Sequence, residues 1–337
     1  MSDMKVWGFT DDRGTALSAV RGPARVVAYV RAGAALLDLG VTPVAVYGSG
    51  HDGEGLDPVK AGKLAAAGVP YLGPGRALDE ARLRSLGPEL IVDVTYDGKS
   101  AYALDEGVAD RLGVPLAALS VGNELPLAAI IGRFGELATA LGAAPDGGAL
   151  EGVASDGVSS GGVGSGGGAS EGVGHGGVGL GGGVSSGGGS LRVPGPRATA
   201  GAAADPVAAA EAVLRDAASR VDVTVLALSG AGPGQVHLAR PHAWPELARL
   251  RELGVRVVDP GPGPGANWLT ADWEHAAALR PDVVLFDSRA NAVGPEAFPP
   301  VGHARVAPWN PETPPSPAAY ARFFEGIART LRHEGAP

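Results

Sequence analysis

The chain of 337 residues contains no cysteine. That excludes disulfide bridges, a thiol nucleophile and any thiolate metal site, and with them the lipid-modified cysteine of bacterial surface lipoproteins. Lysine is nearly absent too, standing only at positions 5, 60, 63 and 99, so arginine supplies most of the positive charge. With abundant Ala, Gly and Pro, that bias fits a GC-rich genome as well as any function. The formal net charge is −9, whereas a reader of phosphates carries a basic excess, so no nucleic-acid partner is expected. No window offers about eighteen consecutive apolar residues, and membrane insertion is not expected either. Met1 to Asp12 has no positive segment followed by an apolar run, so there is no signal peptide to read and the chain as encoded is expected to be cytoplasmic.

What is present is a pattern stated twice. Gly40-Val41-Thr42-Pro43-Val44 closes a helix-like stretch and opens a strand, and Leu253-Gly254-Val255-Arg256-Val257 repeats the move. Each is followed by a second signature, Leu86-Gly87-Pro88-Glu89-Leu90-Ile91-Val92 and then Leu279-Arg280-Pro281-Asp282-Val283-Val284-Leu285. Two α/β units of similar grammar imply two lobes with a cleft between them, where a ligand would sit.

Short apolar runs at 25–30, 44–47, 91–94 and 116–119 read as buried parallel strands of a first lobe, and those at 223–228, 255–258, 283–286 and 305–307 as strands of a second. Helical patterns alternate with them, which argues an α/β fold of two lobes, each with a parallel sheet flanked by helices. Asp205 before Pro206, and Ser316 before Pro317, are helix starts: a capping side chain followed by a proline that loses no hydrogen bond there. In the last helix Tyr320, Phe323, Phe324, Ile327 and Leu331 recur at helical spacing and read as core. The expected organisation is an N-terminal lobe over 1–127, a helical connection over 128–142 and 205–221, and a C-terminal lobe over 222–337. Residues 143–204 collapse to Gly, Ser, Ala and Val. With almost nothing large to bury, they read as a disordered insertion.

Several familiar letter patterns do not survive their context. Gly157-Val158-Ser159-Ser160-Gly161 matches a hydrolase elbow but lacks the strand and helix that would strain the serine into place. Gly48-Ser49-Gly50-His51-Asp52-Gly53 matches a dinucleotide fingerprint, yet Glu54-Gly55-Leu56-Asp57-Pro58 follows as a turn where a helix should start. The histidines at 51, 175, 237, 242, 275, 303 and 333 show no helix-compatible ligand spacing, so no metal site is expected. No catalytic residues and no cofactor are assigned.

The opening Phe9-Thr10-Asp11-Asp12-Arg13-Gly14, then Pro23-Ala24-Arg25-Val26-Val27-Ala28, resembles the start of mature class III periplasmic binding proteins, the iron-siderophore and cobalamin receptors of ABC importers. Ala35-Leu36-Leu37-Asp38-Leu39-Gly40, Gly113-Val114-Pro115-Leu116-Ala117, Phe134-Gly135-Glu136-Leu137 and Arg280-Pro281-Asp282-Val283 resemble the same family in the same order. The resemblance implies two lobes joined by a rigid interlobe helix, a small-molecule ligand such as a ferric siderophore held between them, and one acid per lobe that docks on an ABC permease. Glu274 occupies the second-lobe position. In the first lobe Ala81 stands at the equivalent place, and the adjacent Glu80 is the candidate acid.

Ligands of α/β lobes gather at the carboxyl ends of strands. Read there, the candidate ligand-binding residues are Tyr29, Arg31, Tyr47, Tyr96 and Lys99 in the first lobe, and Arg240, Trp268, Arg289 and Trp309 in the second. Guanidinium forks suit carboxylate, hydroxamate or catecholate oxygens, and ring faces suit apolar parts. Each arginine alone also fits a surface ion pair, and Trp309 alone also fits loop packing. A second function stays open beside the receptor: a cytoplasmic relative recruited to a biosynthetic or chelate-processing step, an enzyme included.

Overall fold

In the computed structural model, residues 6–144, 205–298 and 301–332 are described. The glycine-rich stretch from 145 to 204, with the G-x-S-x-G letters and His175, lies outside them, as does His333. The chain opens on a hairpin of β1 (Trp7–Thr10) and β2 (Ala16–Ala19). The first lobe then alternates β3 (Val26–Tyr29), α1 (Val30–Asp38), β4 (Ala45–Gly48), α2 (Pro58–Ala61), β5 (Tyr71–Pro74), α3 (Glu80–Ser85), β6 (Leu90–Thr95), α4 (Glu106–Leu112) and β7 (Leu116–Ser120). Its sheet has the order β5-β4-β3-β6-β7, and every pairing is parallel. Strands β3, β6 and β7 are buried along their whole length, as apolar runs flanked by helices on both faces must be.

Helix α5 (Leu127–Ala140) leads away from this sheet. Its Ile130, Phe134, Leu137 and Ala138 pack into the first core, while Leu127 and Ile131 pack into the core of the second lobe. The second lobe comprises α6 (Pro206–Ser219), β8 (Thr224–Gly232), β9 (Gln235–Ala239), α7 (Pro245–Glu252), β10 (Arg256–Val257), β11 (Trp268–Ala271), α8 (Trp273–Ala278), β12 (Val283–Asp287), β13 (Arg305–Trp309) and α9 (Pro317–Leu331). Its centre is parallel, with β10 and β12 flanking β8 and β13 beyond β12. To this the chain adds an antiparallel ribbon of β9 and β11, absent from the sequence reading. Gln235, His237 and Thr270 interrupt the apolar pattern there, because these strands are covered less completely than the central ones. Asp205 and Ser316 cap their helices as expected, accepting from the backbone N–H of Val207 and Ala319.

The doubled signature has one physical cause. Glu89, just before β6, accepts hydrogen bonds from the N–H groups of Ala24 and Arg25 at 2.7 and 3.1 Å, where β3 begins. Asp282, just before β12, accepts from the N–H and hydroxyl of Thr224 at 2.7 and 2.8 Å, where β8 begins. In both lobes an acid closes the leading edge of the neighbouring parallel strand. Those backbone donors lower the pKa of both carboxyls. The residue two positions before each acid also takes the same backbone, left-handed at Gly87 (φ 56°) and at Arg280 (φ 47°).

Candidate functional site

The carboxyl ends of β3, β4 and β6 face those of β12 and β13 across the seam between the lobes. The seam is polar. Glu312, between β13 and α9 and only 3% exposed, receives Arg289 Nη1 at 2.8 Å and Lys60 Nζ at 3.1 Å, and the Tyr29 hydroxyl donates to its other oxygen. Lys60, itself fully buried, also pairs with Asp52 at 2.6 Å, and Arg289 with Asp287 at 2.6 Å. Further bonds cross the same line: Ala290 N–H to Asp57 at 2.8 Å, Asn310 to the Val59 carbonyl at 3.2 Å, and Arg31 Nε to the Thr313 carbonyl at 3.1 Å. Burial raises the Glu312 carboxyl, but Lys60, Arg289, the Tyr29 hydroxyl and Arg31 overcome it and hold its pKa at about 2.

Aromatic residues are segregated by lobe. Tyr102 stands edge-on to both Tyr29 and Tyr96, at 5.7 and 4.9 Å between ring centroids, and Tyr47 lies 6.3 Å from Tyr29. On the opposite side Trp244, Trp268 and Trp309 form a triangle with centroid distances of 4.9, 5.4 and 5.8 Å. Two cavities flank the Tyr96–Tyr102 pair. One, of about 530 Å³, opens to solvent and is lined by Arg76, Ser100, Tyr102, Leu104, Asp105 and Glu106. The other, of about 40 Å³, lies between the lobes and is lined by Arg31, Tyr96, Asn123, Trp244, Glu246 and Asn267 among others.

The residues expected from the sequence are only partly brought together. Arg31 and Tyr96 line the small cavity and bond to each other at 3.1 Å. Arg31 stands in the first turn of α1, because the helix begins at Val30 directly from β3, earlier than the apolar pattern suggested. Tyr29 and Arg289 belong to the ion-pair network, while Trp268 and Trp309 belong to the indole cluster, with Trp309 1% exposed. Three others have different employment. Tyr47 is fully buried and donates to Asp93 at 3.0 Å; Asp93 in turn accepts from the N–H of Leu104 and so fixes the segment that carries Tyr102. Burial raises the Asp93 pKa to about 6 even so, against the hydrogen bonds it accepts. Arg240 clasps the carbonyls of Gly261, Gly263 and Gly265 at 2.8 to 2.9 Å, closing a glycine-rich loop. Lys99 is exposed, and only its backbone N–H is engaged, by Asp97, which organises the turn after β6.

Sequence reasoning missed Arg76, Tyr102, Lys60, Glu246 and Glu312. Arg76 follows Gly75, whose missing side chain lets the chain pass the Ala103 carbonyl: a Cβ there would lie 2.2 Å from that oxygen. Strand β5, which ends just before, mixes Gly and Pro and is only partly buried, so no strand end was visible to point to. Glu80 pairs with Arg111 at 2.6 Å, and Glu274 is exposed in the first turn of α8.

No family model matches the sequence, and no curated protein matches it. Solved structures do match. DesE, a ferric-siderophore receptor protein from Streptomyces coelicolor, is 24% identical, with a TM-score of 0.70 over 98% of this chain and 99% of that one. The siderophore periplasmic binding protein from the fuscachelin gene cluster of Thermobifida fusca is 13% identical, with a TM-score of 0.55 over 92% and 97%. A periplasmic heme-binding protein from Pseudomonas aeruginosa is 16% identical, with a TM-score of 0.57 over 94% and 95%. The chain therefore has the two-lobed fold of the class III periplasmic binding proteins, as the opening motifs suggested.

Proposed function

We propose that this protein is a binding protein for a ferric siderophore or a similar iron chelate, held at the seam between its lobes. The observation that carries the reading is the 530 Å³ cavity, lined by first-lobe residues at the carboxyl ends of β5 and β6, whose Tyr102 touches Tyr29 of the seam network. The cavity falls within the range of about 300–1,000 Å³ usual for small-molecule sites, and Arg76 and Tyr102 both line it, with Asp105 and with Glu106, which Arg13 already pairs. A cationic fork next to an aromatic face suits an anionic chelate with planar donor groups. The fold, shared over nearly the whole length with the siderophore receptor DesE, supports the same reading. A second hollow of comparable size, 440 Å³, lies at the amino ends of β8 and β10 and is lined by Thr224, Arg251 and residues 254–258. It faces away from the seam and offers no aromatic platform.

An ABC permease as docking partner, through Glu80 and Glu274, belongs to this proposal. Both acids sit in first turns of helices, but Glu80 would have to exchange Arg111 for a partner arginine. The test is a titration of the purified protein with ferric hydroxamates, ferric catecholates, haem and cobalamin, followed by intrinsic tryptophan fluorescence. Saturable quenching by one chelate class supports the reading. A flat response to all four removes it.

A further inference from the structure

The small interlobe cavity is lined by an acceptor that no described residue satisfies. Glu246, in the first turn of α7, is 1% exposed, and its Oε1 has no hydrogen-bond partner among the described residues. The indole Nε1 of Trp309 is likewise buried without a partner. It helps hold the carboxylate in its charged form, yet the two do not complete a bond with each other. Arg31, on α1, lines the same cavity but directs its donors to the Thr313 carbonyl and the Tyr96 hydroxyl. Tyr320, on α9, also faces the carboxylate, and Asn123 and Asn267 complete the polar lining. Burial raises the Glu246 pKa to about 7 despite Arg31 and Trp309. Fixing a bare carboxylate in such a place is unfavourable unless something else completes it.

The size of the cavity limits what that can be. By the same measure one water needs about 10–15 Å³, so 40 Å³ takes the end of a chain and excludes a chelate. Tyr96 lines it, Tyr102 lines the larger cavity, and the two rings meet edge-on at 4.9 Å. Building on the receptor function proposed above, we propose that Glu246 is the acceptor for a protonated amine at the end of a ligand arm, which passes Tyr96 while the chelate body occupies the larger cavity. The ammonium supplies both the missing hydrogen bond and the charge that Arg31 leaves uncompensated. Glu246 is then a specificity-determining residue for amine-bearing chelates.

The experiment compares two probes, a ferric linear trihydroxamate ending in a primary amine and the same chelate with that amine acetylated, on the wild-type protein and on Glu246→Gln. The wild type is expected to bind the amine form at least tenfold more tightly, and the variant to bind both alike, through loss of affinity for the amine form. In the wild type the preference should also shrink as pH falls from 8 to 6 and the carboxyl takes up its proton. That pH series needs no variant, so it decides the matter even if Glu246→Gln fails to fold. Equal wild-type affinity for the two probes, or a preference that survives in Glu246→Gln, overturns the inference while leaving the receptor function intact. Failure of both probes to bind, together with a flat response to the wider chelate panel, removes the receptor function and this inference with it.

Discussion

At the scale of single residues, the centre of the molecule is Glu312. It accepts from Tyr29, Lys60 and Arg289, and so links residues on both sides of the seam. Replacing it by Gln takes one carboxylate from Lys60 and Arg289, which keep Asp52 and Asp287, so the cost stays below the roughly 3–5 kcal/mol of a buried charge left with no partner. We expect Glu312→Gln to lower the unfolding free energy from urea melts by about 1.5–3 kcal/mol, while a change under about 1 kcal/mol would mean the pairs are not formed in solution. The pH dependence has a definite sign. A folded pKa of about 2 lies below the ordinary glutamate value of about 4.3. The stability Glu312 contributes is therefore complete above about pH 5 and disappears as pH falls toward 2. The variant should show a shallower loss over that window.

Of this network the sequence pointed only to Tyr29 and Arg289, and to those as ligand residues rather than as partners of a buried acid. Glu312 sits in Asn310-Pro311-Glu312-Thr313-Pro314, which reads as an ordinary loop, and Lys60 follows a turn. Their meaning arises only when segments far apart in the chain meet. The one available signal was scarcity: in a chain that uses arginine almost everywhere, a lysine at position 60 was worth a question. Arg240 shows the opposite failure. It follows a strand, as expected of a ligand residue, but three carbonyls of a glycine-rich loop already occupy its guanidinium.

At the scale of elements, the doubled signature carried most of the information, and the structure shows why. An acid that closes the start of the adjacent parallel strand must stand directly before its own strand, so Glu89 and Asp282 recur in register with the apolar runs. The strands that escaped reading, β1, β2, β5, β9 and β11, have mixed burial and therefore mixed composition. The repeat also exposes an imperfection. Gly87 takes a left-handed backbone easily, whereas Arg280 holds the same conformation with a side chain attached. Such a backbone costs a residue with a Cβ roughly 1–2 kcal/mol, partly offset by the greater freedom that glycine has in the unfolded chain. Arg280→Gly should therefore be neutral or stabilising by up to about 1 kcal/mol in a thermal melt. A clear loss of stability would show that the arginine side chain does something its backbone does not reveal.

At the scale of the whole molecule, the three sheets and three apolar clusters of the described residues are built by residues before 145 and after 204. A loop's entropic cost grows only slowly with its length. Replacing that stretch by a short Gly-Ser linker is therefore expected to preserve the cooperative unfolding transition and chelate affinity, as urea melts and fluorescence titration would show. Loss of either would make the stretch part of the fold or of the site. The lobes meet through ion pairs, hydroxyls and aromatic rings rather than through aliphatic packing, which is the character expected of a surface that also receives a ligand. Sequence reading found the lobes, their order and the seam. It missed Arg76, because β5 before it contains glycine and proline, and Tyr102, because that residue stands seven positions beyond the end of β6.

The most direct test of the account is calorimetric: the affinity of the best-bound ferric chelate for the wild type and for Arg76→Ala. A charge-assisted hydrogen bond is worth about 1.5–3 kcal/mol, so binding should weaken by roughly 10- to 100-fold with the fold unchanged by circular dichroism. Equal affinity in the two proteins would place the ligand elsewhere and contradict the account.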